Sequence, residues 1–168
     1  LHEENIEMTT LTVWKFETPQ GAQEALNKLI DLSKQHLIQI NDAATVAWAE
    51  GKKKPKTHNY GSLTGQGALS GAFWGMLFGL LFFVPFFGLA VGAAMGALSG
   101  KFADYGINDK FIQEVRAQVT EGTSALFLMT SGAVQDRVAE AFQGVSAQLI
   151  QSNLTSEQEA QLMEDFGG

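Results

Sequence analysis

The sequence contains no cysteine, which excludes disulfides, thiolate metal sites, a cysteine nucleophile and a lipoprotein-type lipid anchor. Proline is nearly absent too, with three in 168 residues. Positive charge is in short supply: 11 Lys and Arg stand against 18 Asp and Glu, a net charge of -7. That balance repels phosphate backbones and argues against sequence-independent nucleic-acid binding. The three histidines, His2, His36 and His58, have no second histidine or carboxylate at ligand spacing, so no metal site is read. The opening Leu-His-Glu-Glu-Asn-Ile-Glu lacks a basic region followed by an apolar run and is not read as a signal peptide. Met8 resembles a natural start, and residues 1–8 are read as a flexible N-terminal extension.

The most informative absence is local. No Asp, Glu, Lys or Arg occurs from Thr57 through Gly100. The mean hydropathy of +0.01 is too low for a polytopic membrane protein. The chain is therefore an ordinary domain interrupted by one uncharged block, and its length suits a single core plus an insertion.

The flanks alternate strand and helix. Thr10 to Phe16 (TLTVWKF) is β-branched and aromatic, and beyond Pro19 the residues Ala22, Ala25, Leu26, Leu29, Ile30 and Leu37 recur at helical spacing. Asn41 and Asp42 suit a turn before Ala44 to Glu50 (ATVAWAE), where Val46 and Trp48 share a face. Past the block, Phe111, Ile112, Val115 and Val119 mark a helix between an Asn108 N-cap and Gly122. Ser124 to Thr130 (SALFLMT) is apolar at every interior position, which suits a central strand covered on both faces, or on one face with a partner on the other. A short helix through Val134, Val138, Ala141 and Phe142 ends at Gly144, and Ser146 to Ser152 forms a further strand. Thr155 to Phe166 closes the chain as a helix in which Ser156 and Glu159 have capping-box spacing. The expectation is an α+β fold: a ferredoxin-like split β-α-β domain, an inserted glycine-zipper helical hairpin and a C-terminal helix. Its parts are the first half-domain 9–50, a basic linker 51–60, the hairpin 61–103 and the second half-domain 104–168.

Within the block, Gly67, Gly71, Gly75 and Gly79 are spaced by four, and Gly88, Gly92, Gly96 and Gly100 repeat the ladder beyond Pro85. Residues four apart share a helix face, so each ladder forms a groove in which another backbone approaches closely. These eight glycines are the candidate helix-packing residues, and Pro85 is the candidate hairpin turn. The opposite face carries Leu69, Phe73, Trp74, Leu77, Phe78, Leu81 and Phe82, read as a lipid-facing surface. Leu63 to Val84 reaches roughly 33 Å as a helix, enough for a hydrocarbon core, whereas Phe86 to Gly100 is shorter and weaker. Membrane insertion, a buried hairpin in a soluble assembly and a surface wedge all fit this pattern. Lys52, Lys53, Lys54 and Lys56 precede the block and Lys101 follows it, marking lipid-headgroup contacts and placing both domain halves on the cytoplasmic side.

No chemistry emerges. Gly65 to Gly71 departs from a dinucleotide fingerprint in its last spacing, and Met95 stands where a phosphate-binding loop needs glycine. Asp104 and Asp109 suit turns and caps, and no serine lies in a nucleophile elbow. No catalytic, cofactor-binding or metal-binding residue is assigned, and no small-molecule substrate is identified.

The opening strand, the hairpin from Gly61 to Gly100, the Tyr105-Gly106-Ile107-Asn108-Asp109 linker, the Gly122-Thr123-Ser124-Ala125-Leu126-Phe127 segment and the closing Leu154-Thr155-Ser156-Glu157-Gln158-Glu159 carry a resemblance. From Met8 onward the chain resembles a bacterial family of predicted membrane proteins with a domain of unknown function (domain of unknown function 1269). The resemblance implies a membrane-associated, non-enzymatic protein, sometimes linked to stress responses, and supplies no catalytic residues. The expected role is a membrane-anchored, homo-oligomeric scaffold in the bacterial cytoplasmic membrane, with membrane lipid as partner and no cofactor. The alternatives are a channel or membrane-permeabilising oligomer, and a soluble ring or filament with hairpins forming its apolar interior.

Overall fold

β-Branched and aromatic residues favour a pleated, half-buried surface, and the TLTVWKF stretch forms strand β1 (Thr9–Phe16) at the middle of a sheet. The computed structural model describes residues 9–61, 71–83 and 99–166. Residues 1–8, and with them the expected N-terminal extension, lie outside those. Helix α1 (Gly21–Lys34) buries Ala22, Ala25, Leu26 and Leu29 of the expected stripe, with Ile30 half-buried, but it ends before Leu37, which is exposed. Its first turn has no side-chain cap of its own. Ser124 of a distant strand supplies one, accepting from the Ala22 amide at 2.9 Å and donating to the Thr18 carbonyl at 2.7 Å.

Strand β2 (Asp42–Ala47) starts two residues earlier than its alternation suggests and stops before Trp48. The expected basic linker 51–60 is half strand. β3 (Lys56–Gly61) pairs antiparallel with β2, with a bulge between Ala43 and Ala44. Its Lys-Thr-His-Asn sequence is exposed and lacks apolar alternation, so periodicity gives no sign of it; only Tyr60 packs against the α1 layer, its hydroxyl donating to Gln23 Oε1 at 2.5 Å.

Within the uncharged block the described chain forms α2 (Gly71–Phe78) and a π-helix (Gly79–Phe83). Residues 99–104 are helical. Helix α3 (Asp109–Gln118) starts as expected, the Asn108 side chain accepting from the Phe111 amide at 3.0 Å. Strand β4 (Ser124–Ser131), helix α4 (Gly132–Ala141), strand β5 (Ala147–Leu154) and helix α5 (Ser156–Phe166) complete the chain. The capping box of α5 sits one residue earlier than Ser156 and Glu159 suggest: the Thr155 amide donates to Gln158 Oε1 at 2.9 Å, and the Gln158 amide to Thr155 Oγ1 at 3.1 Å.

The five strands run in the order β3-β2-β4-β1-β5, with every pairing antiparallel. β1 and β4 are central, as their apolarity predicts. Each β-α-β unit has its two strands separated by a strand of the other. Leu126 and Leu128 of β4 pack with α1 and α4, along with Trp14, Phe16 and Phe142. Phe127 and Met129 face the opposite layer, where α2, the π-helix and α3 lie with Phe102 and Leu162. The doubly apolar β4 is thus covered on both faces by its own chain.

Candidate functional site: the apolar arm on the sheet

The arm formed by α2 and the π-helix runs along the outer half of the sheet. At its start the Trp74 indole donates to Asp42 Oδ1 at 2.9 Å, where the Asp42 side chain is 1% exposed. Midway, Trp74 and Phe78 meet the edge of Phe127 with ring centroids 6.3 and 5.1 Å apart. At its end Phe82 packs edge-on to Trp48 at 6.1 Å. Asp42 opens β2 and Trp48 directly follows it, so the arm follows that strand from one end of the sheet to the other. The second boundary of the block returns to the arm's start, where Phe102 lies 5.7 Å from Phe73.

The bulky face is therefore not presented to lipid in this conformation. Phe73, Trp74, Leu77, Phe78, Leu81 and Phe82 are buried among Leu11, Val13, Val46, Phe127 and Met129, because the same apolar surface that suits hydrocarbon also suits an uncovered sheet. The glycine face points the other way. Gly75 is exposed, and a Cβ built on Gly75, Gly79 or Gly100 meets no described atom within 4 Å. At Gly71 the nearest is Asn59 Nδ2 at 3.8 Å. Met76 on this side is 43% exposed. Gly67, Gly88, Gly92, Gly96 and Pro85 lie outside the described residues.

The candidate headgroup lysines fall at two ends of the arm. Lys52, Lys53 and Lys54 occupy the β2–β3 turn and Lys56 opens β3, all exposed. The Trp48 indole donates to the Lys52 carbonyl at 2.9 Å, which sets this turn beside Phe82. Lys101 precedes Phe102 at the other end.

The family described as protein of unknown function (DUF1269) matches residues 68–167. The chain belongs to the DUF1269 family. No curated protein and no solved structure matches it. The DUF1269 match runs from the arm through α5, narrower than the resemblance from Met8, and leaves out β1, although β1 is hydrogen-bonded between β4 and β5.

Three polar contacts in this DUF1269 chain escape sequence reasoning. Asp42 is read there as a turn residue and Trp74 as part of a lipid-facing surface, yet they bond in the core. Arg116 of α3 donates to the Leu80 carbonyl inside the π-helix. Burial lowers the Arg116 pKa, and the charge of Asp109 opposes that shift. The Tyr105 phenol donates to Asp165 Oδ2 at 2.5 Å. Burial, followed by that bond and the charges of Asp165 and Asp104, pushes its pKa well above the usual phenol value. No sequence spacing announces these contacts, since all join segments far apart in the chain. Among the described residues no three His, Asp or Glu side chains gather where a metal would sit, and no described helix is long and apolar enough to cross a membrane.

Proposed function

We propose that the chain is a non-enzymatic, self-associating protein of the bacterial cytoplasmic membrane, a ferredoxin-like domain carrying a glycine-zipper apolar segment that enters the bilayer from the cytoplasmic side. The strand order supports the ferredoxin-like assignment, since without the edge strand β3 it is the interleaved order of a split β-α-β domain. One juxtaposition carries the membrane reading. At the end of the sheet where Phe82 meets Trp48, the sequence continues past Phe83 through residues 84–98 without a charge, and the same end bears Lys52, Lys53 and Lys54. A basic rim around an apolar stretch suits an anionic bilayer surface, at about 1 kcal/mol per lysine near it. The outward glycines of the arm add a groove for a second backbone, and their helix-propensity cost of about 1 kcal/mol each is offset only where close packing returns it.

Flotation with liposomes tests the reading. Binding to vesicles containing anionic lipid is expected, with a loss of tenfold or more when Lys52, Lys53 and Lys54 are replaced by Glu. A protein that floats with neither anionic nor zwitterionic vesicles sinks the membrane reading. The burial of Phe73, Trp74, Leu77 and Phe78 on the chain's own sheet favours a second reading, a soluble assembly joined through the glycine face. Under it the protein stays out of the vesicle fraction and sediments as an oligomer that Gly75→Leu disperses.

A further inference from the structure

The two edges of the sheet are protected to different degrees. β3 is six residues long, opens on Lys56 after a lysine turn, and is bulged against β2. Charge and irregularity of that kind discourage strand addition. β5 has neither. It runs for eight residues without charge, proline or glycine, keeps unbroken register with β1, and has no described strand beyond it.

The missing charge extends well past the strand, since residues 141–156 contain no Asp, Glu, Lys or Arg. In β4 a similar absence follows from burial on both faces, but in β5 Gln148, Leu149, Gln151 and Asn153 are exposed. Leu149, 41% exposed, puts a large apolar side chain on this edge strand. One end of β5 is already approached by another segment. The Ser152 hydroxyl donates to the Gly106 carbonyl, and a side chain at Gly106 would stand 3.1 Å from the Asn153 carbonyl oxygen. Gly106 takes φ +94° there, which favours glycine. Residues 147–151 have no described strand beyond them.

We propose that residues 147–151 pair antiparallel with the same residues of a second copy, about a two-fold axis at Leu149, so that two sheets become one. Leu149 then meets Leu149 of the second copy, and Ala147 meets Gln151. Charge selects this occupant: copies that each carry -7 repel one another over an acidic surface, whereas a cationic partner would seek carboxylates that this edge lacks. An isologous interface needs a patch complementary to itself, and a neutral strand centred on one leucine supplies it. The pairing deepens the self-association in the proposed function and is independent of the bilayer.

The absence of native cysteine makes the test direct. In the full chain, Leu149→Cys sets two thiols opposite each other at the axis, where Cα atoms of paired residues lie about 4.5–5.5 Å apart, within disulfide reach. Mild oxidation is expected to convert most of the protein to a covalent dimer. Leu37→Cys, at a site equally exposed but away from the edge, is expected to stay monomeric on a denaturing gel. In a Gly75→Leu background, which removes the glycine face, Leu149→Lys, a substitution at an exposed position, is expected to shift the sedimenting dimer to monomer. No cross-link at 149, equal cross-linking at 37, or a dimer that survives Leu149→Lys in that background overturns the pairing. Vesicle flotation of Leu149→Lys separates this from the membrane reading: retained binding with no cross-link at 149 defeats the β5 interface alone, and a cross-link without flotation supports the interface while defeating the membrane.

Discussion

Trp74 donates its indole N–H to the Asp42 carboxylate at 2.9 Å, fastening the apolar arm to the first residue of β2. The comparable bond of Trp14 goes to the neutral Thr12 hydroxyl at 3.0 Å. Bonds to charged acceptors contribute about 1.5–3 kcal/mol, against about 0.5–1.5 for neutral ones. Trp74→Phe should therefore lower the unfolding free energy more than Trp14→Phe does, as measured by chemical denaturation. Equal losses would mean that the carboxylate finds another donor at no cost.

Leu77 and Gly75 lie on opposite sides of α2. Leu77 is fully buried, so Leu77→Ala should cost about 2–5 kcal/mol of stability, which a lipid-facing leucine would not. Gly75→Leu meets no described atom and removes a poor helix former, so thermal stability should hold or rise. If the glycine groove packs a second backbone, the same variant disperses the oligomer. An intact oligomer in a well-folded Gly75→Leu protein removes the zipper from the account.

The capping box at α5 gives a smaller, sharper test. Thr155→Ala removes the acceptor for the Gln158 amide and should cost about 1 kcal/mol. Ser156→Ala should cost less, because Thr155 holds the capping position. A reversed ranking would put the cap back at Ser156.

Tyr105 predicts alkaline behaviour. Its pKa is raised in the folded protein by burial first and by Asp165 second, so the native state holds a proton that the unfolded chain releases near pH 10. The associated stability is complete below pH 10 and is lost as the pH rises beyond it towards the native pKa. Tyr105→Phe should flatten that alkaline decline in denaturation midpoints. An unchanged slope would show that Tyr105 is not its source.

Much of the fold was legible from residue periodicity. The stripe Ala22, Leu26 and Leu29 marks α1, and the Asn108 cap marks α3, because local sequence determines both. β3 was not legible, since a strand that packs through Tyr60 alone leaves no apolar alternation in Lys-Thr-His-Asn. The placement of the arm was misleading for a different reason. Phe73, Trp74, Leu77 and Phe78 read alike whether they meet lipid or protein, and the distinguishing sign lay in β4. Phe127 and Met129 needed a cover that α1 and α4, on the other face, do not provide. The Asp42–Trp74 bond spans 32 positions and has no sequence signature.

The position of β4 late in the chain has a consequence for biosynthesis. During synthesis the arm, complete by Phe83, leaves the ribosome before β4, whose Phe127 and Met129 form its seat and which ends only at Ser131. At about 5–20 residues per second, translation of the intervening stretch takes roughly 2–10 s. For that interval Trp74 and Phe78 have no sheet to lie on, and the nascent arm is free to meet a bilayer or a chaperone before its own domain exists to receive it.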